Sequence, residues 1–430
     1  MRTDPHGLIA SATGETGPPP TRWAAWREPG MGRYLLGTLV SMSGTGMQFV
    51  ATSWLVLNLT NAHHSVAIVL ICTSVPGILL SPVVGVLVDR VDGRRLAAGT
   101  DAFRALTLLA VVGLYAGGSL AAWHLYLMSF LLATGDLVWN TAVLGLVRQA
   151  VRPSLLLSAN AATSAAVQAG TVLGALLSGL VIAVSSPAAV MVLNAGSFAF
   201  SAVCVIGMAR ARTGPARTGV RSHRFLDDLR AGAGYVRAHQ YLIPAYLALL
   251  VVTFTVRVIN VLLAPFTKDV LHAGTTALGG IDAAFGVGAL IGNLVLLRLA
   301  RRIDTQRLMV GGLLVLALST ALFGLAPSVS VAVLGYLLIG VAYPVKVFFL
   351  TAAQEQTDPA YQGRVYATFM TFASGSNLLV YLVVGLLADA VSPRWLYAGQ
   401  AVLLLATAYG ADRVRRRRST SRTPIAVGGA

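Results

Sequence analysis

Twelve runs of roughly twenty apolar residues divide the chain, and no other feature limits its fold so strongly. They fall at 34–58, 66–88, 97–116, 123–147, 158–183, 188–209, 242–265, 277–297, 308–326, 329–351, 365–389 and 395–412, each bounded by turn residues or charge. Only 11% of the 430 residues are charged and 56% are hydrophobic, where a soluble domain carries about 25% charged residues. Hydrocarbon offers the backbone no hydrogen-bond partner, so runs of this length must be helices. The expectation is an all-α membrane protein with twelve transmembrane helices.

A net charge of +16 raises the question of nucleic acid, and the placement of the bases answers it. With the N-terminus set in the cytoplasm, both tails and five loops on that side hold 27 of the 32 basic residues. The opposite side has only Lys268 and Arg394, while Arg104, Arg257 and Lys346 lie inside spans. This is the positive-inside asymmetry of a multi-pass protein of the cell membrane, with both termini cytoplasmic. Nucleic-acid binding is unnecessary as an explanation, and membrane lipids are the partners of the loop arginines. Residues 1–30, rich in Pro, Gly, Ser and Thr, read as a disordered cytoplasmic tail, since no basic start leads directly into an apolar core.

Loops are short except at 211–240, a basic cytoplasmic linker between the sixth and seventh spans. It separates a bundle over 31–210 from a second over 241–413, and 414–430 form a basic tail. A repeat supports the division. DRVDGRRL at 89–96 aligns without gaps to RRIDTQRL at 301–308, so that Arg90 matches Arg302, Asp92 matches Asp304 and Arg95 matches Arg307. Both stretches join the second and third spans of their half, as in parallel six-plus-six repeats.

The first of these belongs to GVLVDRVDGRR at 85–95, which carries Gly85, Asp89, Arg90, Gly93, Arg94 and Arg95. It resembles the signature loop between helices 2 and 3 of the major facilitator superfamily, approximately G-x-x-x-D-R-x-G-R-R, with Asp92 as an inserted acid. The D-R-x-D-R form is similar to the macrolide-efflux and enterobactin-exporter branch. Residues 44–60, 225–242, 283–293 and 354–369 resemble the same branch in order along the chain; in the last, Gln362 stands where that branch has Arg. The resemblance implies the major facilitator fold of two pseudo-symmetric six-helix bundles. It also implies that this loop latches the bundles on the cytoplasmic side against the start of helix 11. On that view Gly85 permits close backbone approach and Asp89 faces a positive helix end; a topological anchor without a gating role is the alternative. In the fifth span Gly170, Gly174 and Gly179 are spaced for close helix packing, resembling a degenerate helix-5 glycine motif of drug exporters.

Ionisable groups deep in a span are costly unless they face a partner or water. Asp136 lies near the middle of span 4 with Asn140 and Trp139, Arg257 in span 7 with Asn260 three residues on, and Lys346 in span 10. In the superfamily helices 1, 4, 7 and 10 line the cavity, and helix 1 would add Thr45 and Gln48. Two readings fit. In one, Asp136 is a proton-coupled carboxylate whose charge is held by Arg257 or Lys346; in the other, Asp136 and Arg257 form a fixed pair and Lys346 snorkels to the interface. Asp101 and Arg104, near the start of span 3, can pair with each other, and Asp282 reads as wetted and structural. His63 and His64 read as a solvated pair in an outer loop, and Cys72 and Cys204 as small core hydrophobes.

No P-loop supports ATP-driven pumping, and no residue pattern calls for a metal, a cofactor or an enzyme active site. The combined expectation is a monomeric secondary transporter exporting a small organic compound, a drug, antibiotic or secondary metabolite, in exchange for protons. Two cationic side chains against one carboxylate favour neutral, anionic or zwitterionic cargo. An importer or facilitator on the same fold, or a transporter-like sensor, is the alternative.

Overall fold

Proline, glycine and aspartate decide where the apolar runs start, bend and stop. The computed structural model describes residues 28–152, 155–207, 225–300, 302–358 and 361–420, and among them there is no strand. The first bundle comprises α1 (Met31–Thr60), α2 (His64–Leu79), α3 (Ser81–Arg90), α4 (Gly93–Ala116), α5 (Ala122–Ala150), α6 (Leu156–Val184) and α7 (Pro187–Ile206). A short helix, α8 (Phe225–Ala238), precedes the second bundle of α9 (Ile243–Pro265), α10 (Thr275–Leu299), α11 (Thr305–Gly324), α12 (Val329–Ala342), α13 (Val345–Glu355), α14 (Gln362–Ala388) and α15 (Pro393–Thr420). The second expected span is bent at Leu80, between Pro76 and Pro82, and the tenth at Tyr343 and Pro344, because proline removes a helical donor. Counting α2 with α3 and α12 with α13 as single crossings gives the expected twelve. Of the expected tails and linker, residues 1–27, 208–224 and 421–430 lie outside the described residues; α15 runs on past 413 to Thr420.

The half-chain repeat has a physical counterpart in helix capping. The Asp92 carboxylate accepts from the backbone N–H groups of Arg94 and Arg95 at 2.9 and 3.2 Å and starts α4. Asp304 does the same for α11, accepting from Gln306 and Arg307 at 3.1 and 3.4 Å. The extra acid in the first loop is therefore an N-cap, the role its counterpart plays 212 residues later. The backbone bonds from Arg95 and Arg94 hold the Asp92 carboxyl below its ordinary range.

The surface is inside out by the standard of a soluble protein. Leu106, Val184, Leu386 and Trp395 are 66%, 86%, 71% and 74% exposed, which only a hydrocarbon surround tolerates on this scale. Small residues let the helices approach. A Cβ on Gly170 would lie 2.5 Å from the Leu39 carbonyl oxygen and one on Gly174 2.0 Å from that of Ser43, so both glycines seat α6 on α1. Ser178 adds a hydrogen bond to the Met47 carbonyl at 3.1 Å. Gly179 instead works between bundles: it meets Thr276 at the start of α10, and a Cβ on Gly279 would sit 2.8 Å from the Gly179 nitrogen. The linker helix α8 lies against α14, where a Cβ on Gly232 would come within 2.5 Å of the Arg364 carbonyl oxygen.

Candidate transport site

One end of the molecule carries the arginine-rich loops after α3 and α10; the other carries the α1–α2 loop, the end of α9 and the end of α14. The bundles are joined at the arginine-poor end. His63 donates its backbone N–H to Asp389 at 2.6 Å, and its ring places Nδ1 2.8 Å from the Ala388 carbonyl and Nε2 2.8 Å from Asp269 Oδ2. His64 Nδ1 contacts the other oxygen of Asp389, and Lys268 Nζ donates to Asn61 at 3.2 Å. Both ring nitrogens of His63 face oxygen acceptors, so both contacts are hydrogen bonds only when the ring is an imidazolium. Burial would raise the Asp389 carboxyl, but the hydrogen bonds from His64 and His63 outweigh it and hold the group below its ordinary value. The histidine pair is thus an interbundle clasp and not the solvated pair that its loop position suggests.

At the arginine-rich end the loop between α3 and α4 packs within its own bundle. A Cβ on Gly93 would meet Leu146 of α5 at 3.3 Å, and Arg90 is exposed. Among the described residues no atom lies within 4 Å of where a Cβ on Gly85 would be, so the close approach expected there is not made by them: α14, the expected partner, is covered at its start by α8. Asp89 belongs to α3, and Arg94 and Arg95 give the Asp92 cap their backbone N–H groups. Gln362 donates to the carbonyls of Gln354 and Thr357 at 3.0 and 3.4 Å, closing its loop through backbone bonds instead of charge.

Between these ends lies a cluster of three charges. Arg104 of α4 bridges Asp101, on the same helix, and Asp136 of α5, with one guanidinium nitrogen on each carboxylate. Trp139 Nε1 donates to the second oxygen of Asp101 at 3.2 Å, and the guanidinium lies 4.1 Å from the Phe198 ring centroid. Gly135 makes room, since a Cβ there would lie 2.7 Å from Arg104 Cγ. The expected pairing of Asp136 with Arg257 or Lys346 is therefore corrected: α4 begins at Gly93, which puts Arg104 three turns into the span, level with Asp136. The side chains of Asp101 and Arg104 are fully buried, whereas Asp136 is 38% exposed. Asp136 shares its helix face with Asn140, which donates to the Asp136 carbonyl at 2.7 Å and is itself exposed.

Two other polar residues fall into place differently. Gln48 is buried, its amide nitrogen bonded to Thr52 at 2.8 Å and its oxygen facing Asn194 at 3.5 Å, so it braces α1 against α7 and does not line a cavity. Thr45 is partly buried and bonds back to the Ser41 carbonyl. In the second bundle Arg257 donates to the Tyr381 hydroxyl at 3.1 Å, joining α9 to α14, with Asn260 partly exposed one turn on. Lys346 Nζ lies 4.0 Å from the centroid of the Tyr343 ring, turned back toward the α12–α13 bend and away from the arginine-rich end; it does not snorkel. Asp282 of α10 is partly buried and forms no ion pair among the described residues.

Two six-helix bundles with repeated topology, an interbundle seam at one end and charged side chains midway define a major facilitator transporter, a class that moves small molecules and is not enzymatic. The chain belongs to the family described as transmembrane secretion effector, whose sequence profile matches residues 21–425. It is 24% identical over 402 residues to the multidrug efflux pump Tap of Mycobacterium tuberculosis, covering 91% of this chain and 95% of that one. It is also 24% identical over 391 residues to the uncharacterized MFS-type transporter YfiS of Bacillus subtilis, covering 88% and 92%. Among solved structures, the nucleoside transporter NupG superposes with a TM-score of 0.71 at 13% identity, over 89% of this chain and 98% of that one. The inward-facing, occupied form of a bacterial homolog to the human lysosomal transporter Spinster gives 0.68 at 12% identity, over 92% and 98%. Those two likenesses establish the fold.

Proposed function

We propose that this chain is a proton-coupled exporter of small organic compounds in a bacterial cell membrane, working as a monomer by alternating access. The positive-inside bias puts the arginine-rich end and both termini in the cytoplasm. The clasped end is then the outer one, and the conformation described is closed outward. The name of the Tap relative, a multidrug efflux pump, supports the direction.

The observation that carries coupling is the odd sum of charges in the Asp101–Arg104–Asp136 cluster. Two carboxylates share one guanidinium, leaving one uncompensated negative charge in a low-dielectric span. A single proton neutralises the cluster, and Asp136 is the member with access to receive it. Protonation leaves Asp101 and Arg104 as a neutral pair and frees α5 from its charge contact with α4. Proton loss restores that contact, so occupancy of one site can bias the arrangement of two helices.

The test is efflux from cells loaded with cationic rhodamine 6G, neutral Nile red or anionic fluorescein, with and without a protonophore. An exporter lowers cell content of at least one dye relative to cells lacking the chain, and the protonophore abolishes the difference. Protonophore-sensitive accumulation above the control would show import instead.

A further inference from the structure

The second bundle contains cationic and phenolic groups that the coupling cluster does not use. Arg257 on α9 donates to the Tyr381 hydroxyl of α14 at 3.1 Å, and Lys346 on α13 rests on the Tyr343 ring. α9 packs against both α13 and α14, so the two pairs lie on three adjoining crossings. Among the described residues neither cation has a carboxylate partner. Asp136, the acid that spacing would assign to them, is already held by Arg104. Asp282 of α10 forms no ion pair with either among the described residues.

A guanidinium and an ammonium without carboxylate partners among the described residues are costly at this depth, and the cost is retained only where a ligand or water offsets it. Their surroundings select the ligand further. Tyr381 is buried, Tyr343 is partly exposed, and Phe285 lies 5.5 Å from the Tyr343 ring, giving aromatic walls beside the charges. A guanidinium binds a carboxylate by parallel N–H donors, while an ammonium on a tyrosine face acts as a point charge.

We propose that Arg257, Lys346, Tyr381 and Tyr343 form an anion subsite and that the preferred cargo is an amphipathic organic anion, an aromatic carboxylate. This rests on the transport reading above in naming the site's ligand, but binding tests it independently of transport. Arg257 and Lys346 engage the carboxylate, the Tyr381 hydroxyl orients the guanidinium, and the rings of Tyr343 and Phe285 receive the apolar part.

Isothermal titration of the purified full-length protein with 2-naphthoate, 2-naphthylmethanol and 2-naphthylmethylammonium separates charge from shape. The subsite predicts that naphthoate binds at least tenfold more tightly than either analogue. Arg257→Gln and Lys346→Gln each remove that preference, and Arg257→Lys, which keeps the charge, retains part of it and controls for folding. Equal affinity for the three compounds, or a naphthoate preference that survives both glutamine variants, overturns the subsite. Absence of proton-driven efflux by the parent protein, with an intact naphthoate preference, would instead overturn the coupling reading alone.

Discussion

His63 of the first bundle meets Asp269 of the second, imidazole Nε2 to carboxylate Oδ2, at 2.8 Å. With Nδ1 on the Ala388 carbonyl as well, the clasp needs a charged ring. The sign of its pH dependence follows. Asp389, whose carboxyl is held low, keeps its attraction for the histidines above the ordinary carboxylate range and loses it as pH falls through its lowered value.

The clasp should therefore hold at neutral pH and loosen in acid, as Asp389 takes up a proton. Spin labels at Leu59→Cys and Ala390→Cys, with Cys72 and Cys204 replaced by Ala, report the separation of the two rims by pulsed electron resonance. A longer-distance population should grow as pH falls below the ordinary carboxylate range, and His63→Gln should show it already at neutral pH. A distance distribution indifferent to both changes would contradict the clasp.

The capping aspartates make a paired prediction. Asp92→Ala and Asp304→Ala each remove an acceptor serving two backbone donors, and each should lower stability by about 1 kcal/mol. Thermal unfolding in one detergent, read by circular dichroism, compares them. Similar losses are expected from the two halves; a loss at only one would break the functional equivalence of the repeat.

Helix packing gives a second test of stability. Gly174→Leu drives a side chain into the Ser43 carbonyl, where even a Cβ would lie at 2.0 Å, and should destabilise by about 1–3 kcal/mol or more. Gly85→Leu, with open space around it, should leave the melting temperature unchanged. Gly179→Leu should leave the first bundle intact but prop α6 from α10, lengthening the same rim distance that His63 controls.

Periodicity and charge made most of this architecture legible. Apolar runs located the crossings, and the match of Asp92 with Asp304 marked two equivalent positions that fold into caps of one geometry. Local sequence also placed Gly170 and Gly174. What it did not give was partnership across helices. Arg104 looked like a local partner of Asp101, three residues away, yet its long side chain also reaches Asp136, 32 residues on. Tyr381 and Tyr343 carry no charge and gave no signal until folding set them beside Arg257 and Lys346. His63 and His64 had the composition of a loop; only the approach of α14 and the end of α9 turned them into a seam. Gln48 sat on a helix expected to line a cavity, but its orientation toward Thr52 and Asn194 depends on packing that spacing alone does not fix.

The triad offers a direct comparison within itself. Arg104→Gln leaves Asp101 and Asp136 without their shared cation, and truncating one partner of a buried charge group costs about 3–5 kcal/mol. Adding Asp101→Asn and Asp136→Asn should restore much of that stability but no proton-driven efflux. Recovery is read from thermal unfolding and efflux from the dye assay; efflux at the parent rate in the triple variant would remove the cluster from coupling.

The central claim, that Asp136 carries the coupled proton, is tested most directly by comparing two modes of transport in proteoliposomes with the dye the parent extrudes fastest. One mode is accumulation driven by an imposed proton gradient; the other is exchange of dye for dye without a gradient. Asp136→Asn should lose gradient-driven accumulation by at least tenfold while still exchanging dye. Accumulation at the parent rate in that variant would contradict the account.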